Sequence, residues 1–318
     1  MGFFKFKKIR SLLIFIIALT AIIWIFQDNF LQISILKKSM SQSSFTEDLN
    51  KERPYLEKIE NFSINEYSDN EKILSTINAE RYFSYKNAPV ELYKVKVRTF
   101  DDNQIEAAIL SSKQAQIFEN SEINFNGNVD IQTLNNIFHS LQSESLIFNP
   151  SNGEITSNKS VFYQGEGAKI NSKGMLMNID NDKLILMGSV SINEDSGSKI
   201  ETSNLNIDQS DGKKIYRSKE KTTYRSAGNT IIAKSGIIMD MNKNLTNLVG
   251  KVEILDSLGE KIFTSDLLVD ASKDEVTYKT DQPVEYISIN SNIKANKMFY
   301  EGSAQKIDLL GGVYAIFK

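Results

Sequence analysis

An alternation of apolar residues around a glycine recurs four times along this chain at nearly constant spacing. The copies are Ile123-x-Phe125-x-Gly127-x-Val129-x-Ile131, Leu184-x-Leu186-x-Gly188-x-Val190-x-Ile192, Leu248-x-Gly250-x-Val252-x-Ile254 and Ile307-x-Leu309-x-Gly311-x-Val313-x-Ala315, with glycines 61, 62 and 61 residues apart. A fixed period of this kind marks a chain built by stacking one supersecondary unit. Apolar residues at every second position make that unit a strand, not a helix. Such a chain offers an extended surface or groove more readily than a compact catalytic pocket.

The repeat extends beyond the glycine strands. An L-x-hydrophobic-acid/amide segment follows each of the first three glycines by 17 to 19 residues, at Leu146–Asn149, Leu205–Asp208 and Leu267–Asp270. Strands are expected to open near Ile155, Ile215 and Val276, and again near Val161, Thr222 and Val284. Fourteen residues before the glycines stand Lys113, Gly174, Gly236 and Lys297. Turn dipeptides such as Asn152-Gly153, Ser196-Gly197 and Asp211-Gly212 separate the runs. Each glycine shares parity with apolar neighbours, which predicts an inward position and a notch in the apolar row. Met187, Val249 and Leu310 precede their glycines and do not suit a hairpin turn, so the glycine is read within a bent strand.

The N-terminus has a different character. Lys5, Lys7, Lys8 and Arg10 precede an uncharged run from Ser11 to Gln27. At 1.5 Å per residue this run is at the short end for a bilayer core of about 30 Å, and flanking Lys and Arg stems extend its reach. Bulky Trp24-Ile25-Phe26 is unlike a signal-peptide cleavage site. The expected order is therefore a cytoplasmic tail at 1–10, a transmembrane helix at 11–27, a polar stalk at 28–61 and folded structure from near Phe62. The basic cluster before the span leaves residues 28–318 outside the cytoplasm.

Chemistry is sparse. With no cysteine and one histidine, neither a Cys-His site nor a thiolate or His-rich metal site can be assembled, and a Ser-His-Asp triad would have to use His139, which is expected at the surface. The pairs Asp101-Asp102, Asp180 with Asp182, and Asp208 with Asp211 sit at turn-like positions. A net charge of −3 gives no support to nucleic-acid binding. No catalytic residue, metal or cofactor is expected. Two further classes stay open at this level: an anchored structural β-solenoid that carries no lipid, and a carbohydrate-active enzyme on a β-repeat scaffold.

Anchor, stalk and repeated strands together resemble the LptC family of lipopolysaccharide-export proteins. The resemblance runs through Ile109–Phe118, Asn124–Ile131, Ile155–Ser157, Gly174–Asn178 and Leu186–Val190. Residues 62–195 look like the LptC β-jellyroll, and 196–318 like a second LptA/OstA-like unit, with Thr280-Asp281-Gln282-Pro283-Val284 close to that family's strand-turn. The implied fold is mainly β, an N-terminal transmembrane helix followed by a repetitive antiparallel β-jellyroll with a twisted, open pair of sheets. The implied function is non-enzymatic. The chain would accept lipopolysaccharide from an inner-membrane ABC transporter and pass its acyl chains along an apolar groove to an LptA-like periplasmic bridge. Groove candidates are Phe125, Gly127, Val129, Leu186, Gly188, Val190, Leu248, Gly250, Val252, Leu309, Gly311 and Val313. The last strand, with Ile307, Leu309, Val313, Ala315 and Phe317, is the candidate partner-binding edge.

Overall fold

In a computed structural model of the chain, the described residues are 54–318, apart from 69–70, 102, 135–138, 150, 166, 179–182, 209–211, 227, 274, 302–303, 305 and 318. The expected tail, the expected span at 11–27 and most of the expected stalk lie outside them. Among the described residues there is no α-helix, and the structure is mainly antiparallel β. The first strand opens at Glu57, inside the stretch read as stalk, and pairs with β2 from there, with Phe62 and Ile64 alternating on its half-buried face.

The strands are β1 (Glu57–Tyr67), β2 (Ile73–Ser84), β3 (Val90–Phe100), β4 (Glu106–Ile117), β5 (Ile123–Thr133), β6 (His139–Asn149), β7 (Glu154–Ser157) and β8 (Val161–Gly165). They continue with β9 (Ala168–Asn178), β10 (Lys183–Glu194), β11 (Lys199–Asp208), β12 (Ile215–Ser218), β13 (Thr222–Ser226), β14 (Asn229–Ala233), β15 (Ile237–Asp240) and β16 (Leu245–Leu255). The last are β17 (Lys261–Asp270), β18 (Thr277–Thr280), β19 (Val284–Ile287), β20 (Ser291–Ala295), β21 (Lys297–Glu301), β22 (Lys306–Leu310) and β23 (Tyr314–Phe317). Contacts divide the chain into two compact units, one ending with Gln142–Ile155 and the other comprising His139–Leu141 and Thr156–Lys318.

The first unit is a meander in which β1 to β5 pair successively. Its inward positions alternate as the sequence dictates. Ile77, Leu92, Val95, Val97, Leu110, Ala115, Ile123, Phe125 and Val129 are all buried. Phe62 stacks on Tyr82 with centroids 5.1 Å apart. Burying one such aliphatic or aromatic side chain contributes roughly 1.5–3 kcal/mol.

In the second unit, long strands alternate with strands broken in two. β9, β10 and β11 pair in order, then β11 pairs with both β12 and β13. These pair with β15 and β14, which together pair with β16. β17 follows, then β18 with β19, β21 with β20, and finally β22 with β23. A hydroxyl marks the breaks between β7 and β8, β12 and β13, and β18 and β19. Ser157, Ser218 and Thr280 accept the N–H two residues on, from Lys159, Glu220 and Gln282 at 3.1 Å. Ser218 Oγ also donates to the Ser203 carbonyl at 2.6 Å, and Thr280 Oγ1 to that of Ser265 at 2.9 Å. These breaks satisfy their own backbone polar groups, which lets β-branched residues restart a strand directly afterwards.

Candidate functional site

Three of the four repeat glycines sit at β-bulges, and the fourth sits at a break between two strands. Leu186 faces Leu205 and Ser189 faces Ser203, so Met187 and Gly188 together stand opposite Asn204. Likewise Leu248 faces Leu267 and Lys251 faces Ser265, leaving Val249 and Gly250 opposite Asp266. In β5 the shift falls between Asn126, opposite Gln114, and Asp130, opposite Ser111. In the last copy Gly311 and Gly312 separate β22 from β23. All four repeat glycines have left-handed φ, from +70° to +77°. Glycine takes this region without a Cβ penalty, and one extra residue per bulge sharpens the strand's bend.

That conformation corrects one expectation. A Cβ at Gly127, Gly188, Gly250 or Gly311 would not point into the apolar row. It would meet the Cβ of Lys113 (2.9 Å), Lys173 (3.1 Å), Ser235 (2.7 Å) or Asn296 (3.4 Å), all exposed residues. The left-handed backbone turns the missing side chain to the polar face although residue parity is inward. The glycines therefore leave no inward notch, and they drop out as groove-lining candidates.

Two side chains that pattern reading passed over complete the bulges. Asn204 Oδ1 accepts the Gly188 N–H at 3.0 Å, and Asp266 Oδ1 accepts the Gly250 N–H at 2.8 Å. Both are 16 residues beyond their glycine and both have left-handed φ themselves, +50° and +51°. Asn and Asp tolerate that region better than other side chains. The available signal was the Asn or Asp directly before the second and third L-x-hydrophobic-acid segments, where the first has Ser145.

The apolar groove candidates separate by copy. Phe125, Val129, Leu186, Val190, Leu248 and Val252 are all buried, none more than 4% exposed. Leu309 is half-buried, and Val313, the counterpart of Val129, Val190 and Val252, is 54% exposed. The same pattern is uncovered in the last copy because β22 pairs only with β21, and β23 only with β20, among the described residues. Of the proposed edge residues, Ile307 and Leu309 are half-buried, while Val313, Ala315 and Phe317 are exposed. Leu310, Tyr314 and Ile316 are also exposed there. This is a contiguous apolar edge with unpaired backbone groups, the feature that folded proteins ordinarily cover.

Titratable groups mark no reacting centre. His139 is half-buried, not fully at the surface, and its Nδ1 lies 3.0 Å from the Tyr163 hydroxyl. Asp101 serves a turn, accepting N–H bonds from Asn103 and Ile105. Burial pushes the Glu66 carboxyl up to about 7 against a hydrogen bond from Ser75, and Tyr278 up to about 12 beside Tyr224. Among the described residues no cluster of His, Asp and Glu is arranged to hold a metal ion.

Fold and edge together define a repetitive antiparallel β protein, bulged at a fixed period and open at its last strands. The family model described as "Lipopolysaccharide-assembly, LptC-related" matches residues 12–195 and 214–318, and the chain belongs to that family. Both stretches match the one description, including most of the region that resembles an LptA/OstA-like unit. No curated protein matches the chain.

Proposed function

We propose that this chain is a lipopolysaccharide-transport component, anchored in the inner membrane by residues 11–27 with residues 28–318 in the periplasm. It accepts lipopolysaccharide from an inner-membrane ABC transporter and passes it onward without catalysis. The β strands form a twisted jellyroll whose two sheets part to admit acyl chains between them, first in residues 62–195 and then in 196–318. The acyl chains contact Phe125, Val129, Leu186, Val190, Leu248, Val252, Leu309 and Val313. The last strand pairs with an LptA-like bridge protein.

The observation that carries this reading is the inward apolar row itself, repeated at one period through a chain that belongs to a lipopolysaccharide-assembly family. An acyl chain gains about 0.8 kcal/mol per buried CH₂, so an apolar row suffices for binding and no catalytic group is needed. The transporter's ATP use supplies direction. Near-zero exposure of Leu186 and Leu248 favours a second reading, a scaffold whose interior only packs.

Co-elution of the purified full-length chain with lipopolysaccharide, and co-purification with its LptA-like partner, test the two halves of the proposal. Deleting residues 305–318 is expected to abolish partner co-purification while membrane insertion and lipid co-elution persist. Partner recovery unchanged by that deletion would refute the edge assignment, and a chain that never co-elutes with lipid would leave the scaffold.

A further inference from the structure

The strand missing from the open edge of β22 and β23 is specified by the rest of the chain. Twice, a glycine-bulged strand is followed by one that begins the same five-residue pattern. These are Asn204-Leu205-Asn206-Ile207-Asp208 and Asp266-Leu267-Leu268-Val269-Asp270. In both, the leading Asn or Asp is exposed and left-handed and holds the glycine N–H, while the two aliphatic residues are buried. The pattern occurs a third time, as Asn61-Phe62-Ser63-Ile64-Asn65 in β1, where Asn61 is exposed with φ +53°. There β1 pairs only with β2 among the described residues, yet the left-handed residue is already in place. A strand of this form therefore carries its key before any bulged partner arrives.

The interior copies also fix the register. The first aliphatic residue after the Asn or Asp faces the leucine two before the glycine, as Leu205 faces Leu186 and Leu267 faces Leu248. The residue two before the Asn or Asp faces the valine two after the glycine, as Thr202 faces Val190 and Thr264 faces Val252. Carried to the last copy, this register sets an incoming strand against Leu309 and Val313 and brings its Asn or Asp to the Gly311 N–H. That N–H has no acceptor among the described residues, although the Gly311 carbonyl already accepts from Asn296 at 2.9 Å.

We infer that the β22–β23 edge is keyed to an antiparallel edge strand of a separate β-rich partner. The partner strand has the form Asn/Asp, Leu/Phe, any residue, Ile/Val, Asp/Asn, with its leading side chain accepting the Gly311 N–H. This rests on the reading of that edge as the LptA-like partner's site and adds the mark by which the partner is chosen. Asn and Asp are interchangeable in the key because Asn204 and Asp266 already do the same work. Alanine is excluded because it supplies no acceptor and resists left-handed φ.

The test uses the full-length chain and a fluorescent peptide spanning Glu57–Tyr67, which carries the pattern, with Asn61→Asp and Asn61→Ala versions. In fluorescence anisotropy the parent and Asn61→Asp peptides are expected to bind alike, and Asn61→Ala at least tenfold more weakly. Deleting residues 306–318, with the strand circular dichroism retained, is expected to remove binding of all three. An Asn61→Ala peptide that binds within twofold of the parent, or a parent peptide that does not bind, overturns the key and leaves the partner edge standing. Binding that survives the deletion overturns both. Self-association of the full chain in sedimentation, lost with Asn61→Ala, overturns the separate partner in favour of a second copy.

Discussion

Replacing Gly250 by alanine tests the bulge geometry most sharply. The φ of +75° places an L residue in the left-handed region, which costs roughly 1–2 kcal/mol. The new Cβ would stand 2.7 Å from the Ser235 Cβ and closer still to its Oγ, so the neighbouring strand must move. Overpacking of this kind adds about 1–2 kcal/mol, giving a total near 2–4 kcal/mol. Gly197→Ala is the control. Its φ is +90°, but nothing lies within 4 Å of the new Cβ, so only the backbone cost of roughly 1–2 kcal/mol remains. Gly311→Ala, with Asn296 at 3.4 Å, should resemble the control. Urea unfolding followed by far-ultraviolet circular dichroism measures all three, since the one tryptophan, Trp24, precedes the strands. Adding Ser235→Gly to Gly250→Ala should return the steric part and leave the backbone part, a coupling read from the double-mutant cycle. If Gly250→Ala costs no more than Gly197→Ala, or Ser235→Gly returns nothing, the close approach of the two strands is wrong.

Three further outcomes are expected. Asp266→Asn should leave stability within about 0.5 kcal/mol of the parent, because Asn204 shows the amide in the same role, whereas Asp266→Ala should cost about 1–2 kcal/mol in the same urea assay. Leu248→Ala, at a fully buried position, should cost about 2–5 kcal/mol, and Val313→Ala, at an exposed one, under about 0.5 kcal/mol. Glu66, pushed from 4.5 to about 7 by burial, binds its proton more tightly folded than unfolded. Its effect is most favourable below pH 4.5 and is lost as pH rises through about 7, by about 1–2 kcal/mol once solvent screening of this half-buried group is allowed for. Glu66→Gln should flatten that slope in melts between pH 4 and 8, and an unchanged slope would assign it to another group.

Much of the strand order was legible because alternation and turn chemistry agree locally. The openings expected near Val161, Ile215, Thr222 and Val284 coincide with β8, β12, β13 and β19, and for β8, β13 and β19 a β-branched residue follows a hydroxyl-bonded turn. The bent strand at Gly188 and Gly250 was legible too, since Met187 and Val249 argue against a hairpin, whereas at Gly311 the chain leaves the strand altogether between β22 and β23. The glycine's direction was not. Counting by twos assumes every residue is extended, and a left-handed residue beside an inserted one breaks that assumption without disturbing the apolar pattern on either side. Asn204 and Asp266 were passed over for a related reason. As isolated polar residues on strands they look like solvent-facing positions, and their acceptor role shows only once the bulge opposite is known. Of the groove candidates, burial was legible for six apolar residues and misleading for Val313, because exposure at an edge depends on the neighbouring strand and not on the residue's own alternation.

The central claim, that the inward row carries acyl chains, is tested most directly by photo-crosslinking along one strand. A photoreactive residue is placed in turn at inward Leu248 and Val252 and at outward Asn247 and Lys251, with Phe125 as the inward position in the first unit, in cells making lipopolysaccharide. Lipopolysaccharide adducts are expected at 125, 248 and 252 and not at 247 or 251. Adducts absent from the inward positions, or equal on both faces, would contradict a lipid path through the interior and leave a scaffold that packs its apolar row and carries nothing.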